Sequence, residues 1–128
     1  MEWKYVKKIK DINSVEKVEM RYAVSLPIFL KETILRYNGG RPERNIFDSQ
    51  NCKEKVFKCL LSYNENDREN IYAFDKFFKN KYIPFAVTEF GDVLCLDDEK
   101  QVVLYLHESD SFERVCKDVC SFFEGLYN

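Results

Sequence analysis

Three apolar runs separated by two short polar turns, between Tyr82 and Glu108, constrain this chain more than any other stretch. Ile83 to Phe90 is β-branched and aromatic, Val93 to Leu96 is wholly apolar, and Val102 to Leu106 is apolar again. Gly91-Asp92 and Asp97-Asp98-Glu99-Lys100 stand between them. Short runs of this composition, punctuated by Gly- and Asp-bearing turns, predict a three-stranded antiparallel meander. The middle run has no in/out alternation, so both its faces are expected to be covered, as those of a central strand are.

Around the meander the chain reads as helix and loop. Trp3, Val6, Ile9 and Ile12 recur every three residues, which fits either a short helix or a strand over 1–13. Asn13-Ser14-Val15-Glu16 is a capping box for a helix with Val15, Val18 and Tyr22 on one side. Ser25 and Pro27 open a second helix, with Leu26, Leu30, Ile34 and Tyr37 at helical spacing and Asn38-Gly39-Gly40 to end it. Arg41 to Lys55 lacks periodicity and reads as a loop with a short strand at 45–47, and Val56 to Tyr63 reads as a strand. Asp67 is expected to cap a helix that turns Ile71, Phe74, Phe77 and Phe78 inward and ends near Asn80. Asp110-Ser111-Phe112-Glu113 is a second capping signal. It would open a terminal helix with an apolar stripe through Phe112, Val115, Cys116, Val119, Phe122, Phe123 and Leu126.

The fold class that follows is α+β, one domain over 1–128. A twisted, mostly antiparallel (mixed) sheet with a central meander at 83–106 is flanked by N-terminal helices, one middle helix and a C-terminal amphipathic helix. A chain of 128 residues can bury about two thirds of its unfolded surface. With 45% hydrophobic and 16% aromatic residues, order is expected without disulfide support. The opening residues carry too many charges to supply the apolar core of a signal peptide, and no apolar run reaches membrane-spanning length, so a cytoplasmic protein is expected. The five cysteines then read as reduced, packed thiols.

Net charge is −2, but its distribution is uneven. Residues 1–50 carry ten Lys/Arg against seven Asp/Glu, and residues 51–128 carry ten against fifteen. Between Glu89 and Glu113 there are eight acids and a single base, Lys100. Such a field disfavours phosphate backbones and attracts a basic partner. The basic, aromatic opening segment (Trp3, Lys4, Tyr5, Lys7, Lys8, Lys10) is read as a solvated face and not as a nucleic-acid arm, because a core-like stripe lies opposite it.

No catalytic constellation stands out. His107 is the one histidine, and a nucleophile could be matched with it only by assumption, so it is read as structural or superficial. The alternative is a small enzyme that uses His107 with a neighbouring carboxylate. Cys116 and Cys120 have helical spacing but no second Cys/His pair to complete a zinc site. Asp92 and Asp97-Asp98-Glu99 are read as solvated turn acids at opposite ends of the middle strand, too far apart to share an ion. Phosphate-loop, dinucleotide, nucleophile-elbow and zinc-protease motifs are all absent.

Several short segments, in their order and spacing, carry a family resemblance. They are Leu26-Pro27, Asn38-Gly39-Gly40, Leu61-Ser62-Tyr63-Asn64, Ile83-Pro84-Phe85-Ala86, Phe90-Gly91-Asp92, Cys95-Leu96-Asp97, Val103-Leu104-Tyr105 and His107-Glu108, followed by the terminal helix. From about Leu26 to Tyr127 the chain resembles the SUKH superfamily, the cell-wall-assembly-regulator-like domains. Where members often have Asn after Phe-Gly this chain has Asp92, and Asp98 replaces an aromatic common after the Cys-x-Asp segment. The resemblance implies an α+β domain without catalytic residues. Bacterial members resemble immunity proteins that block nuclease-type toxins by binding them, and eukaryotic members resemble regulatory interaction modules. The expectation is a cytoplasmic bacterial immunity protein, monomeric or a weak dimer, with a basic toxin domain as protein partner. No direct nucleic-acid or membrane partner, cofactor, metal or catalytic residue is expected. The expected toxin-binding face is Glu89, Asp92, Asp97, Asp98, Glu99, Glu108 and Asp110. The alternative is a regulatory protein-interaction module without a toxin.

Overall fold

A computed structural model describes residues 1–128. Elements follow in the order β1 (Trp3–Lys4), α1 (Ser14–Tyr22), α2 (Ile28–Tyr37), β2 (Arg41–Pro42), β3 (Ile46–Phe47) and β4 (Lys55–Leu60). A 3₁₀ turn (Ile71–Phe74) leads into α3 (Asp75–Lys79), then β5 (Ile83–Thr88), β6 (Val93–Leu96), β7 (Val102–Leu106), β8 (Ser111–Cys116) and α4 (Val119–Glu124). β3 to β8 form one six-stranded sheet in sequence order, and β1 pairs with β2 in a small second sheet. Every pair of strands is antiparallel; the parallel pairing is the isolated bridge between Ser62 and Asn70.

The meander of β5, β6 and β7 forms where its apolar runs place it, and β5 and β6 are buried along their whole length. Register explains this. Leu60, Ala86, Leu94 and Leu104 lie opposite one another in a row across four strands and are all fully buried. The adjoining row, Cys59, Val87, Val93, Tyr105 and Phe112, faces the other way, because successive residues of a strand alternate sides. Phe77 of α3 meets the end of that second row, edge-on to Tyr105 at 5.1 Å and to Phe112 at 6.5 Å. α4 brings Phe122 and Phe123 against Phe57 and Phe85, and Trp3 stacks on Tyr37 at 4.8 Å while touching Phe123. The sheet curls, and the loop after β3 returns to the far edge, where Gln50 N–H donates to the Arg114 carbonyl at 2.9 Å. That bond closes part of an edge that would otherwise be free to pair with another chain.

Three sequence expectations need correction, and the choice left open over 1–13 is settled. The terminal helix does not begin after Asp110. Residues 111–116 are strand β8, paired along β7, and only Val119–Glu124 is helical. Phe112, Val115 and Cys116 fit a helical stripe, yet as a strand they satisfy the backbone of β7 and set Phe112 beside Tyr105. Asp110 takes a left-handed turn conformation (φ 50) between those strands, and the actual cap is Asp118, whose Oδ1 accepts from Ser121 N at 2.7 Å. Asp67 likewise does not cap the middle helix. Asn70 caps the 3₁₀ turn that leads into it, accepting from Ala73 N at 3.0 Å, while Asp67 accepts from Ser62 Oγ and Asn64 Nδ2. Pro27, and not Ser25, holds the cap position of α2, without a side-chain bond. Over 1–13 the chain is a short strand and loop, in which Trp3 and Ile9 pack against the core while Val6 and Ile12 are exposed.

A buried polar knot joins three segments distant in sequence. Asn38 Nδ2 donates to the Lys7 carbonyl at 2.7 Å and to Ser62 Oγ at 3.0 Å, and Asn38 Oδ1 accepts from Tyr63 N at 2.8 Å. Gly39, at φ 70, lets the chain leave α2 in the direction this requires.

Candidate functional site

The β5–β6 and β7–β8 turns lie side by side at one end of the sheet, and β4 begins there. Within Thr88 to Asp92 the backbone reverses through Gly91, whose φ of 91° is strained for any other residue. Thr88 fixes the turn: its N–H donates to the Asp92 carbonyl at 2.9 Å, and its Oγ1 accepts from Asp92 N at 3.0 Å. The Asp92 side chain is thereby turned inward, and the residue is 4% exposed.

Three groups converge on that carboxylate. Oδ1 is 2.6 Å from His107 Nδ1 and accepts from His107 N at 3.1 Å, and Oδ2 accepts from Lys55 Nζ at 2.9 Å. Burial alone would favour the neutral acid. The bonds from Lys55 and from both nitrogens of His107 outweigh it and hold the Asp92 carboxyl below the usual range. Hydrogen bonding to Asp92 raises the Lys55 ammonium correspondingly. The imidazole lies over Gly91, its Cε1 in contact range of where a β-carbon would sit. Above the cluster is a recess of about 390 Å³ lined by Cys52, Lys55, Phe90, Leu106, His107 and Glu108.

The acids expected to share one face do not all do so. Glu89 is exposed and paired with Arg41 at 2.5 Å. Asp92 is not a solvated turn acid; Lys55 and His107 hold it inside. Glu108 is exposed beside the recess, and Asp110 accepts from Tyr105 Oη at 2.7 Å. Asp97, Asp98 and Glu99 lie at the far end of β6, five residues of extended chain or about 17 Å away. There Asp97 Oδ1 accepts from the N–H groups of Glu99 and Gln101, both at 2.9 Å, and Asp98 and Glu99 are exposed around a second recess that Lys81 also lines. Glu113, the last acid of the run, accepts from Ser49 Oγ and Asn51 N, and these bonds outweigh burial to keep its carboxyl low. The sequence reading missed Lys55 and Phe90. An unpaired-looking acid in a turn carries no local sign of a lysine 37 residues earlier. The one available signal for Phe90 was its place at a hairpin tip between a charged residue and a glycine.

No group of three or more His, Cys, Asp or Glu is arranged to hold a metal ion, and no helix is long and apolar enough to cross a membrane. Burial, with help from Glu69, pushes the Cys59 thiol up to about 12, and burial raises that of Cys95 as well.

The SUKH_6 family model, described as SMI1-KNR4 cell-wall, matches residues 12–123. The chain therefore belongs to the SUKH family, and the segments that carried the resemblance are joined in its structure: Asn38 to Ser62 and Tyr63, Asp92 to His107. No curated relative and no solved structure matches it.

Proposed function

We propose that this chain is an immunity protein that binds and inhibits a cognate bacterial toxin, of nuclease type, in the cytoplasm and without chemistry of its own. The observation that carries this reading is the family match over 12–123, in a family that includes toxin immunity proteins. The acidic second half of the chain supports it, because a nuclease is basic where it grips its substrate and an acidic surface speeds its capture. Toxin contacts are assigned to the exposed acids Glu89, Asp98, Glu99, Glu108 and Asp110, with Asp97 and Asp92 shaping the turns that present them. The Asp92–His107 pair is assigned to clamping two turns together, since one carboxylate oxygen holds both the ring and the backbone of the same residue.

A second reading, a regulatory interaction module without a toxin, is favoured by the family's cell-wall description. Co-expression separates the two. If the toxin domain encoded by the adjacent gene arrests growth and this chain restores it while co-purifying in a stoichiometric complex, the immunity reading stands. Growth arrest that the chain does not relieve sinks it.

A further inference from the structure

Phe90 is the anomaly at this end of the sheet. It is 77% exposed at the tip of a hairpin, although the turn needs no aromatic there. Its neighbours in the recess are Leu106, an apolar wall, and Glu108, an exposed carboxylate. Lys55 also lines the recess, but its charge is matched by Asp92 at 2.9 Å, which leaves Glu108 as the uncompensated charge of the lining. The recess at the other end of β6 differs, for Lys81 already stands among its acids. A flat ring, an apolar wall and a free carboxylate around a cavity of about 390 Å³ match an arginine: the guanidinium offers a face that stacks and a fork of N–H donors, and the stem is apolar. Arginine is also among the residues on which interfaces concentrate their binding energy.

We propose that this recess receives an arginine side chain of the protein partner, recognised by Phe90 and Glu108. The proposal deepens the immunity reading and rests on its premise of a basic partner. Phe90 and Glu108 are exposed, so Phe90→Ala and Glu108→Gln are expected to fold like the parent.

The test is titration of the isotope-labelled full chain with the pentapeptide Arg-Gly-Arg-Gly-Arg, followed by amide NMR, with the Lys and Glu versions of the peptide as controls. Saturable shifts confined to residues 89–92 and 106–110 are expected, stronger for the Arg peptide than for the Lys peptide and absent for the Glu peptide. Each variant is expected to raise the dissociation constant at least about fivefold, as loss of an anchoring contact does. Absent shifts, shifts centred on 97–100, or an affinity unchanged in both variants would overturn the proposal. In the co-expression assay, a parent that protects and variants that protect equally would also overturn it while leaving the immunity reading intact. A parent that fails to protect removes the immunity reading, and the peptide titration still decides the recess.

Discussion

Asp92 Oδ1 touches His107 twice, at the ring Nδ1 (2.6 Å) and at the backbone N (3.1 Å), so one carboxylate fixes both the position and the rotamer of a residue in the neighbouring hairpin. Lys55 on the other oxygen adds the start of β4 to the same clamp. Three chain reversals are thus held at the end of the sheet where the recess lies. Asp92, one of the acids expected from the sequence to make contacts, instead shapes the surface around it.

Removing that carboxylate leaves Lys55 and the His107 N–H without their partner at the floor of the recess, where both remain partly open to water. Asp92→Ala is expected to cost about 1–3 kcal/mol, the range for hydrogen bonds to a charged group whose partners can be partly rehydrated. Urea unfolding measures it. A cost within about 0.5 kcal/mol of zero, the usual size for a surface site, would show that the clamp does not hold the fold.

The same cluster sets a pH window. The Asp92 carboxyl is held below its ordinary value of 3.8, so its contribution to stability is complete above that value and disappears as pH falls through the lower folded one. Lys55 is raised above 10.5, so its contribution is complete below 10.5 and lost as pH rises through the higher folded value. Asp92→Asn is expected to be less stable than the parent at neutral pH, with the gap narrowing under strong acid. Melting temperatures of the two proteins from pH 7 to pH 2 check this, and a constant gap would count against it.

Much of the fold was legible because its signals are local. The meander announces itself through apolar runs and turn residues that need no distant partner, and α1 and α2 through periodicity. The terminal segment misled because Phe112, Val115 and Cys116 fit a helical stripe and a strand equally well. What decided between them was the open edge of β7, which lies in tertiary structure and not in the segment. The candidate site was half legible for the same reason. Counting acids located the charge, but Lys55 lies 37 residues from Asp92 and Arg41 lies 48 from Glu89, so composition could not separate paired acids from free ones.

Asn38 offers a second test of a family segment as structure. Its side chain bonds Ser62 Oγ and Tyr63 N beneath the surface and the Lys7 carbonyl at a half-buried position. In Asn38→Leu the Tyr63 N–H loses its acceptor and the Lys7 carbonyl its donor, at about 1–3 kcal/mol for an unpaired buried group, while the backbone bond from Lys7 N to the Asn38 carbonyl stays in place. Thermal unfolding is expected to fall accordingly, with faster amide exchange at Tyr63. Unchanged exchange there would mean that another acceptor replaces Asn38.

The cysteines should divide by environment. Burial and the bond to Glu69 push the Cys59 thiol up to about 12, so it presents far less thiolate at neutral pH than an ordinary cysteine, and thiolate is the reactive form. Cys95 is fully buried in β6, and burial raises its thiol too. Neither is expected to react with a thiol reagent in the folded protein within the time needed to label exposed cysteine, and both are expected to react after denaturation. Mass mapping of the labelled sites would show it, and fast labelling of Cys95 would contradict its place in the core.

The capping role that the sequence suggests for Asp110 belongs to Asp118. Asp110 precedes Ser111-Phe112-Glu113 in a capping pattern, yet it sits in the β7–β8 turn and accepts from Tyr105 Oη. Asp118 starts α4, where Oδ1 takes the Ser121 N–H that the helix itself leaves unpaired. Its carboxyl is held low chiefly by that bond. Asp118→Ala is therefore expected to cost about 1 kcal/mol, as the loss of a capping side chain does, with the loosening felt at Phe122 and Phe123. Asp110→Gly gives up one exposed hydrogen bond but relieves a left-handed non-glycine backbone, so it is expected to change stability little. Denaturant unfolding compares the two variants, and an Asp110→Gly protein less stable than Asp118→Ala would count against both role assignments.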